Sequence, residues 1–314
     1  MNKKIMCVIG GSGLVGFKLL QKISKGYEMY GTFNGNPIKI KNIDMIKIDI
    51  SSKRDCKKIS ELKPDVIVNC AALTNVDYCE EFKDKAFKIN VLGTRNLAEI
   101  ANKIGSKFIH VSTDGVFDGM KKKYSENNKT LPINVYGQTK LESEKEASIV
   151  TENSIIRPSV IFGWFPLNMI KSRRNSIKPM NFALWVLTKL AKKQSLKIVN
   201  DQFNTPTLAD NLADVIIQLS KNNFFGIYHC SGLTCVNRFE FAKKISKIFG
   251  YPENLIIPIS SKELQQIAKR PRRTCLDCNK ISEKGINLLT IDDALQIMHN
   301  QIKEECPDLI CPLS

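Results

Sequence analysis

Lys4-Ile5-Met6-Cys7-Val8-Ile9-Gly10-Gly11-Ser12-Gly13-Leu14-Val15-Gly16 is a short apolar run that passes directly into a glycine turn, and the stretch Phe17 to Ser24 after it has a helical pattern. The run is fit for a buried parallel strand, so the order is strand, turn, helix. Glycines at 10, 13 and 16 let the chain turn tightly, let the backbone approach a pyrophosphate, and let the helix pack closely on the strand. The free N–H groups of the helix start would face the phosphates. The segment therefore predicts a dinucleotide site with Gly10, Ser12, Gly13, Leu14 and Val15 in contact with the ligand.

Further apolar runs follow at Glu28 to Thr32, Met45 to Ile48, Val66 to Asn69, Phe108 to Val111 and Ser154 to Ile156. Helical patterns separate them, including Asp84 to Ile104 and Tyr136 to Ala147. Alternation of this kind predicts an α/β fold with a doubly wound parallel sheet and ligands at the carboxyl ends of its strands. Beyond it the pattern loosens. Trp164 to Pro179 is rich in Pro, Asn, Lys and Arg and reads as a loop or insertion, while Arg238 to Phe249 and Lys262 to Ala268 read as small surface helices.

Tyr136 and Lys140 stand four residues apart, a spacing that puts a phenol and an ammonium on one helix face. A nearby cation favours the phenolate, so this pairing predicts a Tyr136 pKa below its ordinary range and a group able to exchange a proton. Between them and the glycine turn lies Ser112-Thr113-Asp114. After the second strand the chain reads Tyr30-Gly31-Thr32-Phe33-Asn34-Gly35-Asn36, without the acid that holds a ribose 2′-hydroxyl in NAD sites. NADP(H) is the expected cofactor, with Asn34 near its ribose and NAD(H) left open.

The glycine spacing is G-x-x-G-x-x-G, and with the Tyr-x-x-x-Lys pair the chain resembles the extended short-chain dehydrogenase/reductase superfamily. It is most similar to the dTDP-4-dehydrorhamnose reductase family and to the related beta subunit of methionine adenosyltransferase. The segments that carry this are Asp65 to Ala72, Asn90 to Ala98, Val111 to Gly119, Tyr136 to Lys140, Asp201 to Thr207 and Arg270 to Asp277, nearly the whole chain. The resemblance implies a Rossmann domain over 1–162, completed by about 196–224, and a smaller substrate lobe from 163–195 and 225–314.

It also implies that Asp49 and Ile50 flank the adenine, and that Cys70, Ala71, Ala72, Leu73 and Val111 line the path to the nicotinamide. The implied activity is reduction of a 4-keto-6-deoxy sugar nucleotide. Thr113 polarises the carbonyl, Tyr136 is the general acid, and Lys140 lowers the Tyr136 pKa and holds the nicotinamide ribose. Thr113, Asp114 and Tyr136 are the expected substrate contacts. Related 4,6-dehydratases carry Thr-Asp-Glu where this chain has Thr113-Asp114-Gly115, so the proton-abstracting base of a dehydratase is missing. The reductases usually have sugar-facing aromatics, a Tyr at the place of Gly115 and a Trp at that of Val160, which leaves the hexose open. An epimerase of the same superfamily and a nucleotide-binding regulatory subunit are the alternatives.

Composition fits a cytoplasmic enzyme. With 314 residues the chain can bury a large core, and no apolar run approaches the roughly 20 residues of a membrane span. The net charge of +16 comes from lysines spread along the chain and without a nucleic-acid motif, so a solvated basic surface that attracts anionic ligands is expected rather than a specific nucleic-acid partner. Homodimer formation stays open. Of ten cysteines, Cys7 and Cys70 fall in buried strands, and Cys275 and Cys278 form a C-x-x-C. Cys306 and Cys311 do not supply a second such pair, so no metal site is expected.

Overall fold

A computed structural model describes residues 3–22, 26–166, 169 and 180–309. Most of the expected Trp164–Pro179 loop, and Cys311, lie outside the described residues. Six strands, β1 (Lys4–Ile9), β2 (Tyr27–Phe33), β3 (Asp44–Lys47), β4 (Val66–Asn69), β5 (Lys107–Val111) and β6 (Asn153–Arg157), join Gly226–His229 in one seven-stranded sheet. Across it the order is Gly226–His229, β6, β5, β4, β1, β2, β3, with every neighbouring pair parallel. The order reverses between β1 and β4, and such a switch point opens a crevice at the carboxyl ends of the strands. Val66 to Asn69 are buried throughout, as a strand covered on both faces requires.

Helices α1 (Leu14–Gln21), α2 (Lys53–Leu62), α3 (Val76–Glu81), α4 (Lys83–Phe87), α5 (Gly93–Ile104) and α6 (Val135–Ala147) connect or cover these strands. The expected helix from Asp84 to Ile104 is interrupted by a π-turn over Lys88–Leu92. Its cause is Asn90, which turns inward to accept from the Leu73 N–H (2.8 Å) and to donate to the Leu73 carbonyl and to Thr139 Oγ1 (3.0 Å). Bulges of this type occur often beside functional sites.

The second part of the chain forms its own core. Helices Phe182–Ala191, Arg238–Ile248 and Ile291–Glu305 bury Phe162, Trp164, Leu187, Phe241 and Leu295 among them. Leu196–Val199, expected to return to the main sheet, pairs instead with Ile256–Ile259, and Gly226–His229, expected in the smaller lobe, is the strand that does enter it beside β6. The helix expected over Lys262–Ala268 is reduced to a single 3₁₀ turn at Ser261–Glu263. Leu264 and Ile267 are exposed, so a helix there would have no apolar face to bury, and the Ala268 N–H is held by Asp77 (3.0 Å). Among the described residues no helix is long and apolar enough to cross a membrane.

Cys275 is disulfide-bonded to Cys235, while Cys278 keeps a free thiol against the Ser231 hydroxyl. Among the described residues no group of three or more His, Cys, Asp or Glu could hold a metal ion.

Candidate active site

A cavity of about 370 Å³ lies at the switch point, between the glycine turn and the second core. Its dimensions are those of a small-ligand site. One wall is the start of α1, where Gly13 caps the helix and Leu14 and Val15 face the space. A methyl group on Gly16 would stand 2.4 Å from the Gly10 carbonyl oxygen, so only glycine lets α1 start this close to β1. A helix start that opens into a cavity is a place where backbone N–H groups can hold a phosphate.

Cys70, Ala72, Val111, Thr113, Asp114, Tyr136 and Lys140 also line the cavity, so the sequence-expected chemical groups meet in one place. Gly10, Ser12, Asn34, Asp49, Ile50, Ala71 and Leu73 do not line it. Gly10 shapes the turn, accepting from Gly13 N–H (2.9 Å) and donating to Thr32 Oγ1 (3.1 Å). Asn34 is exposed beyond the end of β2. Asp49 caps Ser51, and Ile50 is buried in the core beneath α5.

Tyr136 and Lys140 share a face of α6, and the helix is pressed onto the Thr113 turn. A methyl group on Gly137 would come within 2.2 Å of the Gly115 carbonyl oxygen. Thr113 Oγ1 accepts from Gly115 N–H and donates to Asp114 Oδ1, both at 3.1 Å, and Thr113 and Tyr136 line the same cavity. The expected lowering of the Tyr136 pKa by Lys140 is not what this geometry produces. Burial pushes Tyr136 up, and the Asp114 charge adds to the rise. The reason is direction: Lys140 Nζ turns toward β5, donating to the Val111 carbonyl (2.8 Å) and lying 3.1 Å from His110 Nε2. Burial lowers Lys140 to about 8.

Asp114, expected as a substrate contact, is 9% exposed and its carboxylate is caged by its own chain. Ser159 Oγ (2.7 Å), Asn204 Nδ2 (3.3 Å) and Thr274 Oγ1 all donate to it. It therefore ties the end of β5 to the segments of Ser159, Asn204 and Thr274. Beneath the site Glu144 of α6 holds Arg157 through two bonds of 2.8 and 2.6 Å and accepts from Ser112 Oγ at 2.5 Å.

Sequence reasoning gave no role to the residues of that far wall, Gln202, Asn204, Arg238, Arg270 and Thr274. Arg270 is neutralised by Asp77 at 2.8 Å. Arg238 has no carboxylate in ion-pair contact among the described residues; its guanidinium stacks 5.0 Å from the centre of the Phe182 ring, and burial brings its pKa down to about 10. It stays charged at neutral pH and presents a cation to the cavity. The segments of Asn204 and Arg270 were visible as part of the family resemblance, whereas Arg238 follows an ordinary Asn237 helix cap and carried no signal.

The sequence pattern of the RmlD substrate binding domain family matches residues 3–304. The chain belongs to this family. It is 35% identical over 259 residues to a dTDP-4-dehydrorhamnose reductase of Aggregatibacter actinomycetemcomitans, covering 77% of this chain and 82% of that one. It is 30% identical over 238 residues to the methionine adenosyltransferase 2 subunit beta of Xenopus laevis, covering 74% and 68%. The fold superposes with a TM-score of 0.84 on the crystal structure of a Bacillus anthracis dTDP-4-dehydrorhamnose reductase in complex with NADP, at 26% identity over 96% of this chain and all of that one.

Proposed function

We propose that this chain is an NADPH-dependent reductase of a 4-keto-6-deoxy sugar nucleotide. The observation that carries this reading is the meeting of Thr113, Tyr136 and buried Lys140 in the cavity that the glycine turn walls. Thr113 polarises the carbonyl oxygen, Tyr136 gives it a proton, and Lys140 holds the nicotinamide ribose. Bound at the glycine cradle, NADPH supplies the hydride. The absence of a carboxylate at the end of β2 favours the 2′-phosphate of NADP, and the relative crystallised with NADP supports the same choice. Arg238 supplies a positive charge for an anionic substrate. Gly115, in place of the glutamate of a dehydratase, leaves proton and hydride transfer as the chemistry. A cytoplasmic location fits this reading, and a homodimer is tested by the mass of the protein in solution.

The test is consumption of NADPH with a dTDP-4-keto-6-deoxy sugar, followed in the wild type and in Tyr136→Phe. Turnover falls by ~100-fold or more in the variant while NADPH affinity is kept, as loss of a general acid requires. Product formation without consumption of external NADPH favours the epimerase. The likeness to the methionine adenosyltransferase beta subunit gives a second reading, a nucleotide-binding regulatory subunit. A wild type that binds NADPH and reduces no 4-keto sugar nucleotide favours it.

A further inference from the structure

Behind Lys140 runs a chain of buried polar groups that the proposed chemistry leaves unused. Asn69, at the end of β4, is fully buried, and its Oδ1 accepts from the Ala71 N–H at 3.1 Å. Its amide nitrogen therefore faces Thr94 Oγ1 and His110 Nδ1, each at 3.2 Å. The Thr94 hydroxyl spends its own hydrogen on the Asn90 carbonyl at 2.7 Å, so toward Asn69 it accepts. One amide hydrogen is left for His110 Nδ1. A neutral imidazole that accepts at Nδ1 carries its proton on Nε2.

That Nε2 lies 2.9 Å from Ser143 Oγ and 3.1 Å from Lys140 Nζ. Ser143 donates its hydrogen to the Lys140 carbonyl at 2.7 Å and so accepts from the imidazole. The imidazole N–H is shared between a hydroxyl oxygen and the lysine nitrogen. An ammonium there would set N–H against N–H, whereas a neutral amine turns its lone pair to the imidazole and still donates to Val111 at 2.8 Å.

We infer that His110 is a positioning residue acting through Lys140: its Nε2–H, fixed in one tautomer by Asn69 and Ser143, favours the uncharged amine of Lys140 and so sets the pH range over which Lys140 carries a proton. The inference rests on the reading of Lys140 as the cofactor-holding member of the reductase set. The other groups facing Lys140 do not do this work. On α6, Glu144, though paired with Arg157 of β6, acts in the opposite direction and favours the charged amine, and Tyr136 is pushed up by burial. On the β4 side the Cys70 thiol is pushed up to about 12 by burial and is uncharged near neutrality. His110 itself is kept neutral by burial and by Lys140, and its ring stacks 6.3 Å from that of Phe108. Burial lowers Lys140 to about 8, so it is the group here that titrates near neutrality and on which the His110 N–H acts in addition.

The chain has three histidines, so a protein labelled with ¹⁵N in histidine alone gives three imidazoles, and the one missing in His110→Leu identifies His110. The unliganded wild type should show His110 as the neutral Nε2–H tautomer from mildly acidic to mildly alkaline pH. An Nδ1–H tautomer or an imidazolium overturns the inference, and this measurement decides it even where the variant fails to fold. In the folded variant, NADPH affinity measured by calorimetry across pH should lose its alkaline limb about one pH unit higher than in the wild type, the size of effect one hydrogen bond supplies. A limb that stays in place, with stability alone reduced, assigns His110 a structural role and refutes the proposal. Because neither readout needs a sugar substrate, failure of the reductase reading would be seen separately, as absent turnover.

Discussion

Replacing Glu144 by Gln removes one charge from the floor of the site and little else. The Glu144 and Arg157 side chains are 4% and 3% exposed, and the carboxylate accepts from two guanidinium nitrogens and from Ser112. In the variant the guanidinium stays buried without an anion. Its Nη1 already lacks a partner among the described residues, and its other neighbour is the Phe117 ring, 5.3 Å away, which offers only a weak π-face. Breaking one side of such a pair costs about 3–5 kcal/mol, against a total stability of about 5–15 kcal/mol for a folded domain. Urea unfolding should show a lower midpoint with an unchanged slope. The double variant Glu144→Leu with Arg157→Met should recover most of the loss, because apolar groups of similar volume replace a buried ion pair at little cost. Since Ser112 leads directly into Thr113, turnover of Glu144→Gln should fall as well. A loss below about 1 kcal/mol, or a double variant worse than both single ones, would refute the view that charge neutralisation holds this floor in place.

Three further outcomes are expected. Gly137→Ala puts a methyl group 2.2 Å from the Gly115 carbonyl oxygen, and steady-state kinetics should show turnover reduced by ~100-fold, since displacement of about 1 Å is that costly to a positioned group. Arg238→Ala should raise the KM for the sugar nucleotide by ~10–100-fold, the loss of a charge-assisted hydrogen bond, with NADPH affinity unchanged by calorimetry. In acid, burial holds His110 well below its ordinary range and His229 down to about 3, so between roughly pH 6.5 and those values the unfolded chain binds protons that the folded chain refuses. Stability measured by denaturant titration should then fall by about 1.4 kcal/mol per pH unit for each histidine below pH 6.5, and be insensitive to either above it.

The strands of the first half were legible because each is a local apolar run, and burial on both faces leaves that mark without help from distant residues. Val66–Asn69 was read with its true ends for this reason, and the glycine turn because each glycine answers a local steric demand. Pairing between distant segments leaves no such mark. Leu196–Val199 and Gly226–His229 are both short and partly apolar, and which one enters the main sheet depends on what lies beside β6 and beside Ile256–Ile259. The site shows the same division. Spacing put Tyr136 and Lys140 on one face of α6, but it could not tell that Nζ would turn to Val111 and His110, because those partners come from another strand. Asp114 was singled out by its place after Thr113, while its cage is assembled from residues 159, 204 and 274.

Val160 joins sequence and function in a different way. It stands where the resemblance implies a sugar-facing tryptophan, it lines the cavity, and its φ is 42°. A β-branched side chain rarely adopts that region, and the conformation costs on the order of 1–3 kcal/mol. The residues on either side impose it. The Ser159 N–H donates to Thr207 Oγ1 at 3.2 Å and its carbonyl accepts from the same hydroxyl at 2.6 Å, while its own hydroxyl is held by Asp114. The Val160 carbonyl accepts from Thr207 N–H at 3.3 Å, and the next two residues pair with Thr207 and Leu208. These hydrogen bonds and the strand pairing fix the chain before and after Val160, so the backbone of this wall is set by its pairing with residues 207–208 and not by the side chain at 160. A different side chain at 160 should therefore leave the backbone of this wall, and with it Thr113, Tyr136 and Lys140, in place.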